Sequence, residues 1–590
     1  MRLLVCFLFV ITNISNNGRA SLDSFVPSKE NMLFEDSTKN SETSCYRPCK
    51  LNVKPKRCVY KFKVAPTEID GKVSLTINGI TPGPPIHVCM NDIVVVEVLN
   101  KVPDQDLTMH WHGIQQRGTP FMDGVPMITQ CPIGYGSTYK YAFVASTSGT
   151  FFYHADSVLH QSDGVYGPLV VNQPTPLEPH GSLYDYDRSM ENTLLIGARF
   201  TQLMTGNLEN MSKTKPDALV VNGDGSYKLF VLPGFAYRLR FVNAIGINCP
   251  VDVTIDGHDM AVIATDGRPT RPVDSTRIKL YPGERLDTVV RMNQPAGGYW
   301  IRISGSGSCE GLMASSMLLY NGFNYTSMLE EKQASTLSDK STSVVSGEML
   351  ESLNEVVSNN NAKFVYLGID RKRPQNEIKE NDFRYISDAF EKKQFYPAQM
   401  ALNNEGIVTI NGKSFLFPNA PLLLAPRDVT PGSNCLVGEE DKIEDVQCVH
   451  MINAKEGETL ELALVDEGLG SNDSYTFHMH GVDMQIIASG KNVDHKPLNQ
   501  KDFLQQLQEG KIERKSDPPI KDTVVVPNKG YTIVKVKLDH PGTWMLECRS
   551  CGVSSLPTAV VINVPLALPK VVLDSLPKCG NYRPPDVLLN

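Results

Sequence analysis

Two short histidine pairs, far apart in the chain, constrain the fold more than any other feature of the sequence. The first is His110-Trp111-His112-Gly113 and the second is His478-Met479-His480-Gly481, with 368 positions between their first histidines. Each pair lies in a stretch typical of a β-strand, where residues i and i+2 point to the same face. Both imidazoles of a pair can therefore converge on one site. Two such pairs predict a shared metal centre that only folding can assemble.

The rest of the chain has the pattern of an all-β protein. Short apolar runs such as Ile93 to Leu99 are separated by Gly, Pro and Asn, and long helical periodicity is scarce. A weak internal repeat divides the chain into three units. Each unit has Ile-Asn-Gly or Val-Asn-Gly near its start and a glycine followed by an aromatic residue near its end, as in Gly298-Tyr299-Trp300. We predict three similar β-sandwich domains at about 59–175, 190–323 and 400–566.

The chain begins like a secreted protein. Residues 1–20 form a signal-peptide pattern, with Arg2, the apolar run Leu3 to Ile11 and small residues near Ala20. One of the 13 cysteines, Cys6, falls in this segment, and the remaining twelve permit full pairing in an oxidising compartment. Three sequences of the Asn-x-Ser/Thr type predict N-glycosylation on exposed loops, at Asn210, Asn324 and Asn472.

The segments outside the predicted domains are polar or rich in cysteine. Residues 21–58 combine a disordered stretch with a cysteine-rich patch, 327–361 form a polar linker, and 567–590 form a C-terminal tail. The formal net charge of −8 gives no reason to expect nucleic-acid binding. Apolar runs of the length that spans a bilayer, about 18 residues, are missing from the sequence, so we expect no transmembrane segment.

A series of motifs follows a fixed order along the chain, at residues 110–113, 123–124, 130–133, 149–155, 163–167, 282–287, 518–523 and 541–544. In this order they resemble the multicopper oxidases, specifically the insect laccase-type proteins. The resemblance covers nearly everything from Cys45 to Cys579. It implies three cupredoxin-like domains, a mononuclear blue copper in the third domain, a trinuclear copper cluster between the first and third domains, and a disulfide between Cys131 and Cys579.

The resemblance also implies a set of copper ligands, ten histidines and one cysteine, of which this sequence retains about half. The thiolate position of the blue copper is Cys548, which either forms a local disulfide with Cys551 or stays buried. The retained histidines are His110, His112, His154, His478 and His480.

Five of the implied histidine positions carry other residues. The blue-copper histidines are replaced by Tyr475 and Val553, and the axial position falls at Thr558. A lone cysteine without histidines cannot hold a blue copper, which needs one Cys thiolate and two His. The replaced positions of the trinuclear cluster are Asp156, Glu547 and Arg549.

The three cluster replacements suggest two interpretations. Arg549 is a fixed cation that cannot be a ligand, and we expect it to pair with Asp156 and Glu547 and so fill the space of the lost metal. Alternatively, the two carboxylates join the five histidines around zinc, manganese, iron or a single copper. His110 and His112 would be packing relics in the first case.

The pattern of ligand loss resembles the multicopper oxidase-related proteins that lack a full set of copper ligands. We therefore predict a secreted, monomeric protein that has lost laccase activity and binds an unknown extracellular protein, a small phenolic compound or a matrix component. The alternative is a residual metal-binding protein or weak metal-dependent oxidoreductase.

Overall fold

The computed structural model describes the chain from Cys45 onward with gaps. The described residues are 45–69, 71–206, 215–321, 344–354, 361–372, 407–427, 429, 434–437, 447–468, 474–492, 496–551, 558–577 and 579. The predicted signal peptide at 1–20 lies outside these residues, as do Val553 and the three predicted glycosylation positions, Asn210, Asn324 and Asn472. Within the described residues, no helix has both the length and the apolar character needed to cross a membrane.

The first domain is a sandwich of two four-stranded sheets. The sheets have the orders β2-β1-β4-β6 and β3-β8-β7-β5, and the second one carries the first histidine pair. The elements are β1 (Arg57–Ile69), β2 (Lys72–Ile77), β3 (Ile86–Cys89), β4 (Ile93–Asn100), β5 (Met109–His112), β6 (Thr138–Val144), β7 (Gly149–Ala155), helix α1 (Val158–Ser162) and β8 (Tyr166–Asn172).

The second domain packs two six-stranded sheets. Their orders are β10-β9-β12-β17-β14-β15 and β11-β19-β18-β13-β16-β20. The strands are β9 (Thr193–Arg199), β10 (Ala218–Val221), β11 (Lys228–Val231), β12 (Ala236–Asn243), β13 (Val251–Ile255), β14 (Met260–Thr265), β15 (Arg268–Ser275), β16 (Arg277–Leu280), β17 (Arg285–Arg291), β18 (Gly298–Gly305), β19 (Met313–Tyr320) and β20 (Val344–Ser346).

The third domain has the same two-sheet plan. One sheet has the order β22-β21-β26-β31-β28-β29, and the other has the order β23-β25-β33-β32-β27-β30 with β24 paired to β25. The elements are β21 (Lys363–Lys372), β22 (Ile407–Ile410), β23 (Ser414–Phe415), β24 (Asn434–Leu436), β25 (Gln447–Asn453), β26 (Thr459–Asp466), β27 (Tyr475–Met479), β28 (Met484–Lys491), helix α2 (Gln500–Gln508), β29 (Ile520–Lys521), β30 (Thr523–Val526), β31 (Gly530–Lys537), β32 (Gly542–Cys548), β33 (Ala559–Val564) and helix α3 (Lys570–Ser575).

The prediction of an all-β fold of three β-sandwiches is confirmed. Strands with one solvated face alternate as the sequence pattern predicts: in β6, every second side chain is buried. Strand β7 departs from alternation because all seven of its residues are buried, with the adjoining domains covering its outer face. That strand carries His154, so this candidate ligand lies in the interior.

Two predicted domain boundaries differ from the structure. Residues 344–354 lie within the predicted linker, yet β20 pairs with β16, and Val345 and Leu350 pack into the core of the second domain. Strand β21 precedes the predicted start of the third domain at residue 400, yet it pairs with β26. Both segments fold because they have apolar side chains to bury, which outweighs their polar surroundings in the sequence.

The C-terminal segment returns to the first domain. Val572 of helix α3 and Leu576, directly after the helix, lie in the first domain's core. A disulfide joins Cys131 to Cys579, the pair implied by the family resemblance. The segment that was predicted as a tail is therefore packed against the first domain and covalently attached to it.

Candidate metal centre

The first domain contributes three histidines from two paired strands. His110 and His112 lie on β5, and His154 lies opposite His110 in the antiparallel register of β5 and β7. All three side chains are buried. The ring centroids of His110 and His154 are 5.4 Å apart, and Nδ1 of His112 lies 3.2 Å from Nε2 of His154.

The third domain brings the second pair to the same place. Nε2 of His110 lies 3.2 Å from Nε2 of His478, and the rings of His112 and His478 stack at 3.7 Å. His480 approaches from the same side, with its ring centroid 4.1 Å from that of His110. The five retained histidines thus form one buried cluster between the first and third domains, where the sequence pattern predicts a shared centre.

Neighbouring acceptors set the orientation of the rings. The Nδ1–H of His110 donates to the main-chain carbonyl of Asp123 at 2.8 Å, and that of His478 donates to the carbonyl of Asp522 at 3.0 Å. A carbonyl can only accept, so Nε2 of both rings carries a lone pair and points into the cluster. Such outer contacts are the usual support of metal-binding histidines. The spacing of the histidines in the sequence does not show that Asp123 and Asp522 hold the rings of His110 and His478. Both aspartates nevertheless lie within the motifs that carry the resemblance.

The histidines divide into two electrostatic classes. Burial lowers the pKa of His110, His112, His154 and His478, so these rings are neutral. His480 behaves differently: burial also lowers its pKa, but the carboxylates of Asp123 and Glu547 outweigh this effect and raise the pKa to about 10. His480 therefore contributes a positive charge to the cluster.

Arg549 lies at a position where the family resemblance implies a histidine, and its guanidinium has three partners. Its Nη1 donates to Oε1 of Glu547 at 2.7 Å and to the main-chain carbonyl of Asp156 at 3.3 Å, while Nη2 donates to the side-chain carbonyl of Gln161. The expected ion pair with Glu547 is therefore present. For Asp156, the guanidinium contacts the main-chain carbonyl, and Gln161 on α1 accepts from its other side.

Glu547 is held in its ionised form by two cations. Burial raises the pKa of this carboxyl, but Arg549 and His480 more than reverse the effect and hold the pKa well below its usual range. Oε1 of Glu547 lies 3.4 Å from Nε2 of His480. Asp156, Glu547 and His480 also have potential ligand atoms within 4.8 Å of one another, so the replaced half of the centre combines carboxylates with one histidine.

A buried ion network attaches the second domain to the centre. Arg285 on β17 donates through Nη1 to Oδ1 of Asp522 at 2.7 Å, and the same oxygen lies 3.3 Å from Nε2 of His112. Nearby, Nζ of Lys521 lies 3.0 Å from a carboxylate oxygen of Asp266. These charges are almost fully shielded from solvent, so all three domains fix the position of the histidine cluster.

The blue-copper position is occupied by a disulfide. Cys548, at the end of β32, is bonded to Cys551, which selects the first of the two alternatives left open by the sequence. Tyr475, on β27, is a buried residue of the third domain's core, and Thr558 donates its hydroxyl to the carbonyl of Val408. A disulfide sulfur is not a thiolate, and Tyr475 offers no imidazole.

Comparisons with known proteins agree with this architecture. Three family models described as multicopper oxidase match residues 60–176, 198–322 and 418–551. The chain therefore belongs to the multicopper oxidase family. Laccase-2 of Botryotinia fuckeliana is 27% identical over 495 residues, which are 81% of this chain and 76% of that protein. The L-ascorbate oxidase of Cucumis sativus is 25% identical over 526 residues, 81% of this chain and 83% of that protein.

A solved structure supports the fold over nearly the whole chain. The crystal structure of Fet3p, a multicopper oxidase that functions in iron import, superposes with a TM-score of 0.68 at 20% identity, covering 90% of this chain and 97% of that one. At this identity the likeness concerns the fold alone.

The family implies copper, and the residues fit it only in part. Among the described residues, four groups of three side chains bring potential ligand atoms within 4.8 Å of one another, and the histidine cluster forms most of three of these groups. The blue-copper position does not fit copper, because Cys548 is bonded to Cys551 and a buried tyrosine stands at Tyr475. The groups are His110/His112/His154, His110/His478/His480, His112/His478/Asp522 and Asp156/His480/Glu547.

Proposed function

We propose that this protein is a secreted member of the multicopper oxidase family that lacks laccase activity and acts by binding an extracellular partner. The observation that carries the proposal is the bond between Cys548 and Cys551. In a laccase-type oxidase, electrons enter through a copper held by a cysteine thiolate and two histidines. A cysteine bonded to another cysteine supplies no such ligand, so the substrate has no entry point for its electron.

The charge balance of the centre gives independent support. Arg549 and protonated His480 place two positive charges beside Glu547 in a region largely shielded from solvent. A buried cation repels a metal ion, and it satisfies carboxylates that a metal would otherwise neutralise. Arg549 and His480 thus balance the charge of Glu547 through side chains alone.

The expected extracellular setting agrees with the cysteine pairing. Six disulfides join all twelve cysteines that follow Cys6, and such dense pairing is typical of oxidising compartments. A monomer that presents a rigid three-domain surface suits a binding role, since a fold can persist after its original chemistry is lost. The partner classes that fit are an extracellular protein, a matrix component or a small phenolic compound.

The test is a visible spectrum and an oxygen-uptake assay on the purified secreted protein, loaded with copper and supplied with a phenol. We expect no strong absorption at about 600 nm, the signature of copper bound to a thiolate, and no oxygen uptake. An active laccase measured in parallel is the positive control. Cys551→Ser provides a sharper variant: it frees Cys548, yet we expect no blue band because Tyr475 supplies no imidazole. A blue band in the unmodified protein, together with phenol-dependent oxygen uptake, would contradict the proposal.

A second candidate function, binding of one metal ion, is favoured by one contact. The Nε2 lone pairs of His110 and His478 face each other at 3.2 Å while carbonyls hold both Nδ1–H groups. Two facing lone pairs repel unless a cation lies between them. The histidine cluster would then hold one copper or another divalent ion, and any metal-dependent oxidoreductase activity would be weak.

Metal analysis of the purified protein separates the two candidates. Stoichiometric metal that is lost in the double variant His110→Ala/His478→Ala, and kept in His258→Ala, would support the metal-binding candidate. His258 is a matched control because it is buried in the second domain, outside the cluster. If the unmodified protein, the double variant and His258→Ala all contain less than about a tenth of an equivalent of metal, the first candidate is supported: a protein that binds an extracellular partner and holds no metal.

A further inference from the structure

The bond between Cys548 and Cys551 differs in kind from the other five disulfides. Its cysteines are 3 positions apart, whereas the other pairs are separated by 13 to 448 positions. The spacing is that of the Cys-x-x-Cys motif, which thiol–disulfide exchange sites use because the second cysteine remains beside the first after the bond opens. Opening this bond disconnects no second element, since both cysteines belong to one short turn at the end of β32.

The two sulfurs also differ in their access to solvent. Cys551 is 4% exposed and packs in the core of the third domain, whereas Cys548 is half-buried at the edge of that core. An incoming thiol attacks the sulfur that it can reach, and the buried sulfur is displaced. One accessible and one buried cysteine give such an exchange a direction.

Two other disulfides have an accessible sulfur, but they hold segments together. Cys49 is half-buried and Cys579 is exposed. Their bonds fasten the N-terminal segment to Cys89 and the C-terminal segment to Cys131. The folded protein keeps these partners adjacent through the contacts of whole segments, so these bonds re-form after attack. Only the Cys-x-x-Cys pair combines access with a local turn among the described residues.

The turn closed by this bond carries the cation of the central cluster. Arg549 is its second residue; its main-chain N–H donates to the carbonyl of Thr476 at 2.8 Å, and its guanidinium pairs with Glu547 at 2.7 Å. Ser550 accepts from the main-chain N–H of Thr476 at 2.7 Å. The oxidation state of the turn is therefore linked mechanically to the position of the guanidinium beside the histidines.

We propose that Cys548–Cys551 is a thiol–disulfide exchange site that takes thiols as its substrate class, with Cys548 as the sulfur attacked. A thiolate forms a bond to Sγ of Cys548, the bond to Sγ of Cys551 breaks, and Cys551 leaves as a thiolate that takes up a proton. A second thiolate then attacks the sulfur of the first thiol in this mixed disulfide, the bond to Sγ of Cys548 breaks, and Cys548 leaves as a thiolate that takes up a proton. Overall, two thiols are oxidised to one disulfide, and the protein disulfide is reduced to two thiols. The exchange needs no metal, so it is independent of the proposed loss of oxidase activity.

The first test is a redox titration of the full secreted chain in glutathione buffers, with free thiols alkylated and located by peptide mass spectrometry. The reducing strength of each buffer is the squared concentration of reduced glutathione divided by the concentration of oxidised glutathione. We expect Cys548–Cys551 to be half reduced at a value about tenfold or more below the value that half reduces Cys249–Cys309, a bond between two fully buried cysteines. Equal midpoints for the two pairs would overturn the proposal.

The second test traps the intermediate. With oxidised glutathione as the probe, Cys551→Ser should form a mixed disulfide at Cys548 at least about tenfold faster than Cys548→Ser forms one at Cys551, because only the former leaves the accessible thiol free. Cys309→Ser is the matched control, as it leaves the buried Cys249 without a partner. Equal adduct yields in all three variants would overturn the proposal. If Cys551→Ser fails to fold, the titration of the unmodified chain still decides.

Discussion

Replacing Arg549 by methionine tests the proposal that this cation supplies the positive charge of a metal at a position where the family resemblance implies a copper ligand. The Arg549 side chain is 4% exposed and that of Glu547 is 14% exposed, so the substitution leaves a carboxylate in a nearly dry environment. Removing one partner of a buried pair destabilises a protein by about 3–5 kcal/mol. His480 remains 3.4 Å from Glu547 and compensates in part, whereas the carbonyl of Gln161 loses its donor. We therefore expect a loss of about 3 kcal/mol for Arg549→Met.

Differential scanning calorimetry measures the effect as a shift in Tm. For a domain of the size of the third one, about 3 kcal/mol corresponds to a decrease of roughly 6–12 °C. The double variant Arg549→Met/Glu547→Gln should recover most of this loss, because it removes the unpaired charge as well as its partner. The recovery isolates the ion pair from the general effect of a new side chain.

Arg117 provides the matched control. It pairs with Asp539 at 2.9 Å, but the two side chains are 40% and 38% exposed, so Arg117→Met should cost less than about 1 kcal/mol. If Arg549→Met lowers Tm no more than Arg117→Met does, the guanidinium does not balance the charges of the cluster, and the replacement of metal charge by Arg549 is refuted.

Three further predictions concern the rest of the fold. Burial raises the pKa of the Asp92 carboxyl, but hydrogen bonds from Arg47 and two main-chain N–H groups outweigh it and lower the pKa below the ordinary 3.8. The stability lost in Asp92→Asn should therefore be constant above pH 4 and shrink as the pH falls through the depressed pKa; an equal Tm difference at about pH 3 and pH 6 would contradict this. Gly124→Ala should prevent folding to the native state by circular dichroism, because Gly124 has φ +91° and a Cβ there would lie 1.8 Å from the carbonyl oxygen of Met109; a native-like spectrum and Tm would be the opposite outcome. Cys579→Ser should lower the unfolding free energy by about 4–5 kcal/mol in denaturant titrations, because it opens a covalent loop with a sequence separation of 448; an unchanged midpoint would show that packing of the C-terminal helix suffices.

The histidine cluster shows how far residue spacing alone can reach. Two His-x-His pairs on strands were sufficient to predict one converging site, because the period of a strand fixes which side chains share a face. The same reasoning could not identify the groups that orient the histidine rings. Asp123 and Asp522 hold His110 and His478 through main-chain carbonyls, and a main-chain group leaves no residue-type signature in a sequence.

Arg549 shows which contacts its residue type predicts and which contacts depend on domain packing. Its residue type predicts an ion pair in the space of the lost metal, and Glu547 provides it. Its other partners depend on how α1 packs against β32: the side chain of Gln161 and the main chain of Asp156 reach the guanidinium only because the first and third domains meet there. Spacing within one strand carries no information on such a contact between domains.

The sequence by itself determined the all-β class, the three repeated units, the retained and replaced ligand positions and the expected link from Cys131 to Cys579. The all-β class and the repeated units depend on strand periodicity and local turn chemistry, whereas the ligand positions and the Cys131–Cys579 link are implied by the family resemblance of the motifs. Only the tertiary structure decided that Cys548 is bonded to Cys551, that His480 is the charged member of the cluster and that three domains hold it in place. Cys548 and Cys551 are only 3 positions apart, but whether they bond depends on the geometry of the turn. The pKa of His480 and the buried ion network depend on distances between side chains that are remote in the chain, and folding alone sets those distances.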